Sequence, residues 1–69
     1  MKTIKWQKIG RYIIKWDSIN GSNWVSIAEK KDKVFCIISR RAYYNKADAR
    51  HRYYYLIAAY TRKAQEARP

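Results

Sequence analysis

The C-terminal third of the sequence carries basic and phenolic side chains that are suited to binding phosphate groups and unpaired bases. His51, Tyr55 and Arg62 recur at intervals that place them on one side of a helix, and Arg50 and Lys63 flank them. Guanidinium groups bind phosphate bidentately, and tyrosine rings stack on bases while their hydroxyls donate hydrogen bonds. The pattern predicts a helix face that binds an anionic partner.

Further candidates lie earlier in the chain. Lys15 and Trp24 occur in stretches that alternate apolar and polar residues. If the face with Tyr12, Ile14 and Trp16 packs on the helix, they emerge, with Lys5 and Arg11, on the opposite face of the sheet. A second pair of candidates, Arg40 and Arg41, is expected at the junction between the last strand and the helix, where it can serve either surface.

The sequence contains no recognisable catalytic or metal-binding motif. It has one histidine and five carboxylates, with no paired-carboxylate site, nucleophile with its base, glycine-rich phosphate loop or metal-ligand cluster. We therefore expect no enzymatic activity, no cofactor and no metal. A ribonuclease-type toxin with His51 as general base is an alternative. Asp48 precedes Arg52 by four residues, so a helix-surface ion pair is the simpler role for both.

The charge balance favours a negatively charged partner. Sixteen Lys and Arg residues against five Asp and Glu residues give a formal net charge of +11 in 69 residues. Self-repulsion of this size destabilises a compact chain unless a polyanion neutralises it. No stretch has the length of a membrane span or the apolar core of a signal peptide, so we expect a soluble, cytoplasmic protein without membrane contact.

One long helix is expected over about residues 46–66. Asn45 is a suitable N-cap, and Asp48 favours the positive end of the helix. At helical periodicity the apolar residues fall on one stripe that should face a core. These residues are Ala49, Tyr53, Leu56, Ile57, Tyr60, Ala64 and Ala67.

The preceding residues, about 3–39, have the alternation of an antiparallel sheet. In the first stretches, Ile4 and Trp6 share one side of a strand, and Tyr12, Ile14 and Trp16 share another. We expect Gly10 to form a bulge within one long strand, because a tight hairpin usually needs two turn-type residues. Asn20-Gly21 predicts a hairpin turn, and residues 29–33 a second polar turn.

The apolar run at residues 34–39, VFCIIS, is expected to be the central or most covered strand. Its only cysteine, Cys36, should then be a buried small hydrophobic residue. The predicted fold is therefore α+β, a single domain in which an antiparallel sheet of three or four strands precedes one long C-terminal helix packed on one face.

The layout of a small antiparallel sheet followed by a helix that opens with NKADAR resembles the arm-binding domains of phage and transposon integrases and the plant AP2 domains. The resemblance implies a sheet that lies in the major groove of DNA. It is a resemblance of fold and assigns no role to individual residues.

Three functions remain open from the sequence. The first is a non-enzymatic nucleic-acid-binding protein, for DNA or RNA, that uses mainly phosphate-backbone contacts with aromatic stacking. The second is a small protein-interaction module, of the phage or mobile-element type, that inhibits a larger nucleic-acid-processing protein by binding its acidic surface. The third is the ribonuclease-type toxin. A homodimer is compatible with each of them.

Overall fold

The computed structural model describes residues 1–66 and consists of a four-stranded antiparallel sheet followed by one helix. The strands are β1 (Lys2–Ile9), β2 (Tyr12–Ile19), β3 (Ser22–Lys31) and β4 (Val34–Tyr43), and the helix is α1 (Lys46–Glu66). The strands lie in the order β1-β2-β3-β4, so each hairpin adds the next strand beside the last. The predicted α+β fold class is confirmed.

Two-residue turns connect the strands. The turn at Asn20-Gly21 is confirmed, and both residues have the positive φ, 49° and 80°, that a tight turn of this kind requires. Gly10 does not form a bulge, and that prediction was wrong. Ile9 pairs directly with Tyr12, and Gly10, with φ 58°, is the first residue of a hairpin turn. A turn that needs positive φ only at its first position requires a single glycine.

The core lies between one face of the sheet and α1. The alternation of β2 and β3 places every second side chain on this covered face, where the apolar stripe of the helix packs against it. The buried apolar residues are Ile9, Tyr12, Ile14, Trp16, Val25, Ile27, Ala49, Tyr53 and Leu56. Tyr12, Ile14 and Trp16 therefore face the helix, which is the condition under which Lys15 and Trp24 were expected on the opposite face.

The helix begins at a side-chain cap and runs antiparallel to β2. The Asn45 Oδ1 accepts a hydrogen bond of 2.8 Å from the amide of Ala47, which satisfies one free donor of the first turn. Early in the helix Tyr53 packs on Trp16, with 6.1 Å between ring centroids, and later Tyr60 packs on Tyr12 at 4.8 Å. Ala67 lies outside the described residues. Within residues 1–66, no helix is long and apolar enough to cross a membrane.

The strand β4 is an edge of the sheet, and its predicted central position was wrong. Val34 to Ala42 are all exposed, and so is Cys36, which was expected to be buried. A helix is about 10–12 Å wide with its side chains, whereas strands lie about 4.8 Å apart, so one helix covers roughly two to three strands. Because α1 lies along β2, the outer strand remains uncovered.

Candidate functional site

The face of the sheet opposite α1, here called the open face, is not covered by any described part of the chain. The strand register defines its members, because directly paired residues point to the same side. One row of directly paired residues crosses the sheet from β1 to β4 and consists of Trp6, Lys15, Ser26 and Arg40. Other members follow in the same way: Thr3, Lys8, Ile13, Asp17, Trp24, Ala28, Lys30, Phe35, Ile37 and Ala42.

The open face is positively charged. Its cations are Lys8, Lys15, Lys30 and Arg40. Its carboxylate, Asp17, is buried and has its own partners: Oδ1 accepts a hydrogen bond of 2.9 Å from the Thr3 hydroxyl and lies 4.0 Å from the Lys15 Nζ. This carboxylate offsets one of the four cations, so the side chains of the open face keep an excess of three positive charges.

Large aromatic side chains stand among these cations. Trp6 is 60% exposed and Phe35 is 41% exposed, and Trp24 is partly exposed. The guanidinium carbon of Arg40 lies 4.4 Å from the centroid of the Trp24 ring. Stacking of this kind holds an arginine by its flat side and leaves its N–H groups available to phosphate oxygens.

The predicted sheet candidates divide between the two faces. Lys15, Trp24 and Arg40 are brought together on the open face. The expected junction between strand and helix was wrong for Arg40 and Arg41, because β4 continues to Tyr43. Arg41 pairs with Val25 on the covered side, and its guanidinium carbon lies 5.7 Å from the ring centroid of Tyr43. Consecutive residues of a strand point to opposite faces, which separates the pair.

Lys5 and Arg11 were wrongly expected beside Lys15. A bulge between Thr3 and Lys5 inserts one extra residue, so Lys5 turns to the covered side, with its Nζ 5.8 Å from the ring centroid of Tyr54. Arg11 lies in the first turn, where its Nε is 3.7 Å from a carboxylate oxygen of Glu29. The same bulge places Trp6 on the open face while Ile4 packs against the core.

The predicted helix candidates are exposed but form two separate groups. Arg50, His51 and Tyr55 line a shallow concavity together with Ala47 and Tyr54. Three helical turns later, roughly 16 Å along the axis, Arg62 is exposed in the last part of the helix. At that end the Nζ of Lys63 lies over the rings of Tyr12 and Tyr60, at 5.3 and 5.5 Å from their centroids.

The concavity around His51 does not place a carboxylate beside the imidazole. All of its lining side chains are small, basic or phenolic. The expected ion pair between Asp48 and Arg52 is not among the charge pairs within 4.0 Å in residues 1–66. Arg52 instead lies over the Tyr55 ring, 5.2 Å from its centroid. A histidine that acts as a general base usually has an orienting partner, and this geometry supplies none among the described residues.

Of the three consecutive tyrosines, Tyr53 is buried, whereas Tyr54 and Tyr55 are exposed. Burial raises the pKa of the Tyr53 hydroxyl above its ordinary value, the neighbouring Tyr54 raises it further, and the Lys5 ammonium lowers it. The phenol of Tyr53 is thus a neutral core group, and the other two rings are available to a partner.

Sequence reasoning missed Trp6, Phe35, Lys8 and Lys30 as members of the candidate surface. The position of Trp6 depends on the bulge, for which the sequence gives no turn residue as a signal. Phe35 was assigned to a covered strand, although a strand that ends a meander lies at an edge. Comparisons of the chain with protein-family models, with curated proteins and with solved structures found no match.

Proposed function

We propose that this protein binds nucleic acid, without catalysing a reaction on it, through the open face of its sheet. The observation that supports the proposal best is the composition of that face: exposed Trp6 and Phe35 alternate with lysine and arginine, and the carboxylate Asp17 is buried. A face that only had to be soluble would not require exposed tryptophan.

Electrostatics supports the binding of a polyanion. The chain has a formal net charge of +11, and the four cations of the open face lie on all four strands, so they cover the width of the sheet. Neutralising phosphates with such cations releases counterions, and this term supplies most of the affinity in binding that is not sequence-specific.

The arrangement of aromatic rings favours unpaired bases over duplex. Trp6 lies on β1 and Trp24 on β3, two strands apart, which corresponds to roughly 10 Å across the sheet. At that separation the exposed Trp6 ring can stack on one base, while the guanidinium of Arg40 over the Trp24 ring can bind the phosphate of a neighbouring nucleotide. Because stacking on a side chain requires a base free of its neighbours, we expect single-stranded DNA or RNA to bind more tightly than duplex.

The decisive experiment measures affinity for a fluorescent single-stranded oligonucleotide between about 50 mM and about 200 mM salt. The variant Lys8→Gln with Lys30→Gln removes two cations of the open face. The matched control, Lys46→Gln with Lys63→Gln, removes the same charge from α1. We expect the slope of log affinity against log salt to fall by about 1.4 in the first variant, about 0.7 per lost contact, and to stay unchanged in the second.

An equal decrease of the slope in the two double variants would show that only the net charge of the protein matters, and it would reject the open face as the binding site. Absence of binding even at the lowest salt would remove the nucleic-acid proposal and leave an acidic protein surface as the partner. The oligonucleotide should be recovered intact after incubation. Cleavage that disappears in His51→Ala would instead support the ribonuclease alternative.

A second measurement tests stacking. Trp6→Ala should weaken single-strand binding by about 5- to 150-fold, the equivalent of about 1–3 kcal/mol for one stacked base. The control is Tyr44→Ala, which removes an aromatic ring that is 97% exposed and lies outside the strands. An equal effect of the two variants would contradict a specific stacking role for Trp6.

A further inference from the structure

We propose that β4 pairs with β4 of a second copy of this chain, in antiparallel orientation about a two-fold axis at Cys36, so that two sheets become one sheet of eight strands. This inference does not depend on the proposed nucleic-acid function, although such a dimer would join the two open faces. Three features of β4 support such a dimer: exposed apolar side chains, free backbone groups and the charges at its ends.

The first half of β4 is apolar and exposed. Val34 is 61% exposed, Phe35 41%, Ile37 62% and Ile38 46%, and the cysteine between them is exposed as well. Natural edge strands usually carry charges, proline or inward bends that prevent pairing with another chain. The segment from Val34 to Ser39 contains no charge and no proline. A bulge leaves Ile38 as an extra residue, but the residues from Val34 to Ile37 keep a regular register with β3 and are free of these protections.

The backbone of this segment has unpaired hydrogen-bonding groups at alternate residues. Lys31 pairs with Val34 across the two-residue turn, and such a flanking pair is hydrogen-bonded. Hydrogen-bonded and non-hydrogen-bonded pairs alternate in an antiparallel ladder, so Val34 and Cys36 bond to β3. The amide and carbonyl groups of Phe35 and Ile37 therefore point away from β3, towards the open edge.

A two-fold axis at Cys36 matches these free groups to one another. Phe35 of each copy then lies opposite Ile37 of the other copy, and the two residues exchange both of their hydrogen bonds, twice in the dimer. Val34 lies opposite Ile38 of the other copy. An axis at Ile37 would pair that residue with itself and leave the groups of Phe35 without a matching residue.

The charges at the ends of the segment favour the same register. With the axis at Cys36, Arg40 lies opposite the Asp32 turn of the second copy. With the axis at Ile37, Lys33 would lie opposite Arg41, and like charges at opposed positions destabilise a strand pair. The net charge of +11 on each copy opposes association at low salt, and salt screens this repulsion. Dimerisation should therefore strengthen as salt rises, whereas nucleic-acid binding should weaken.

The test measures the molar mass of the nuclease-treated full chain by light scattering over a range of protein and salt concentrations. We expect the mass to rise from 8.3 kDa towards twice that value as either concentration rises. Ile37→Lys, at a position too exposed to matter for the core, should keep the chain monomeric. Tyr44→Lys adds the same charge beside the strand and should still dimerise. A monomeric mass under all conditions, or unchanged dimerisation of Ile37→Lys, would overturn the proposal.

Cross-linking through Cys36 tests the register of the two paired β4 strands. In the proposed dimer the two Cys36 residues form a non-hydrogen-bonded pair, with Cα atoms about 4.5 Å apart and side chains on the same face. A short bismaleimide, to which each thiolate adds across one double bond, should therefore give a covalent dimer. Cys36→Ser should remove the cross-link and keep the dimeric mass. A dimer that the short reagent cannot link would overturn the axis at Cys36.

Discussion

The two faces of the sheet use the same residue type in opposite ways. On the covered face Trp16 is 2% exposed, and its Nε1 donates a hydrogen bond of 3.3 Å to the Asn23 Oδ1. On the open face Trp6 is 60% exposed, and Trp24 lies beneath a guanidinium group. A buried indole needs a partner for its N–H and close packing of its ring, whereas an exposed one keeps both for another molecule.

The difference separates the residues that form the core from those that we propose bind a partner. The covered face contributes the apolar residues of the core, and its buried polar group, Asn23, completes a hydrogen bond to Trp16. Apart from the hydrogen bond between Thr3 and Asp17, the open face contributes exposed rings and cations, and exposed ion pairs add little to stability. Substitutions on the two faces should therefore differ in kind: one set should change the free energy of unfolding, and the other the affinity for a partner.

The largest expected effect is that of Trp16→Ala. Removing a ring that is 2% exposed leaves a cavity in a small core, and such changes cost about 3–5 kcal/mol. Chemical denaturation followed by circular dichroism measures this loss. Trp6→Ala, the matched change on the open face, should alter the free energy of unfolding by less than about 0.5 kcal/mol. A comparable loss in both variants would contradict the division between faces.

The next effect is expected at the hydrogen bond of the covered face. Asn23→Ala leaves the buried indole N–H of Trp16 without its acceptor, and an unpaired buried donor costs about 1–3 kcal/mol. Ser26→Ala, which shortens a polar side chain of the same strand on the open face, is the control and should be nearly neutral. Thermal unfolding of the two variants side by side distinguishes these outcomes.

A smaller effect is expected at the hydrogen bond between Thr3 and Asp17 on the open face. Thr3→Val removes the hydroxyl that donates to Asp17, a hydrogen bond of 2.9 Å that is only partly buried. We expect a loss of about 1 kcal/mol in the free energy of unfolding, because other groups and water can replace part of it. Thr61→Val, at a threonine of α1 whose hydroxyl bonds to a carbonyl of its own helix, is the comparison. A larger loss in the free energy of unfolding for Thr3→Val than for Asn23→Ala would contradict the expectation that the covered face contributes more to stability.

The smallest effect concerns pH and the buried phenol of the covered face. The pKa of Tyr53 is raised above its ordinary 10.0 in the folded protein, chiefly by burial, so the unfolded chain loses this proton first as pH rises. Stability is therefore fully retained below pH 10.0 and falls as the pH rises above that value. Tyr53→Phe should reduce this alkaline loss, measured as the melting temperature against pH. An unchanged profile would show that Tyr53 does not cause it.

Much of the secondary structure was predictable from patterns of residues that are close in sequence. The helix cap at Asn45, the turn at Asn20-Gly21 and the alternation of β2 and β3 each depend on residues close in sequence, and each has the expected structure. The candidate site was only partly predictable. Lys15 on β2 and Trp24 on β3 were placed correctly because both strands alternate regularly there. Trp6 was not, since a bulge beside it shifts the alternation by one residue.

The sequence by itself determined the alternation of β2 and β3, the turn at Asn20-Gly21 and the helix, because these follow from periodicity and from the backbone preferences of single residues. Only the tertiary structure decided that the apolar run from Val34 lies at an edge. Burial of a strand depends on what lies beside and above it, and the last strand of a meander has a neighbouring strand on one side only. One helix is also too narrow to cover four strands, and so Phe35 and Ile37 remain exposed.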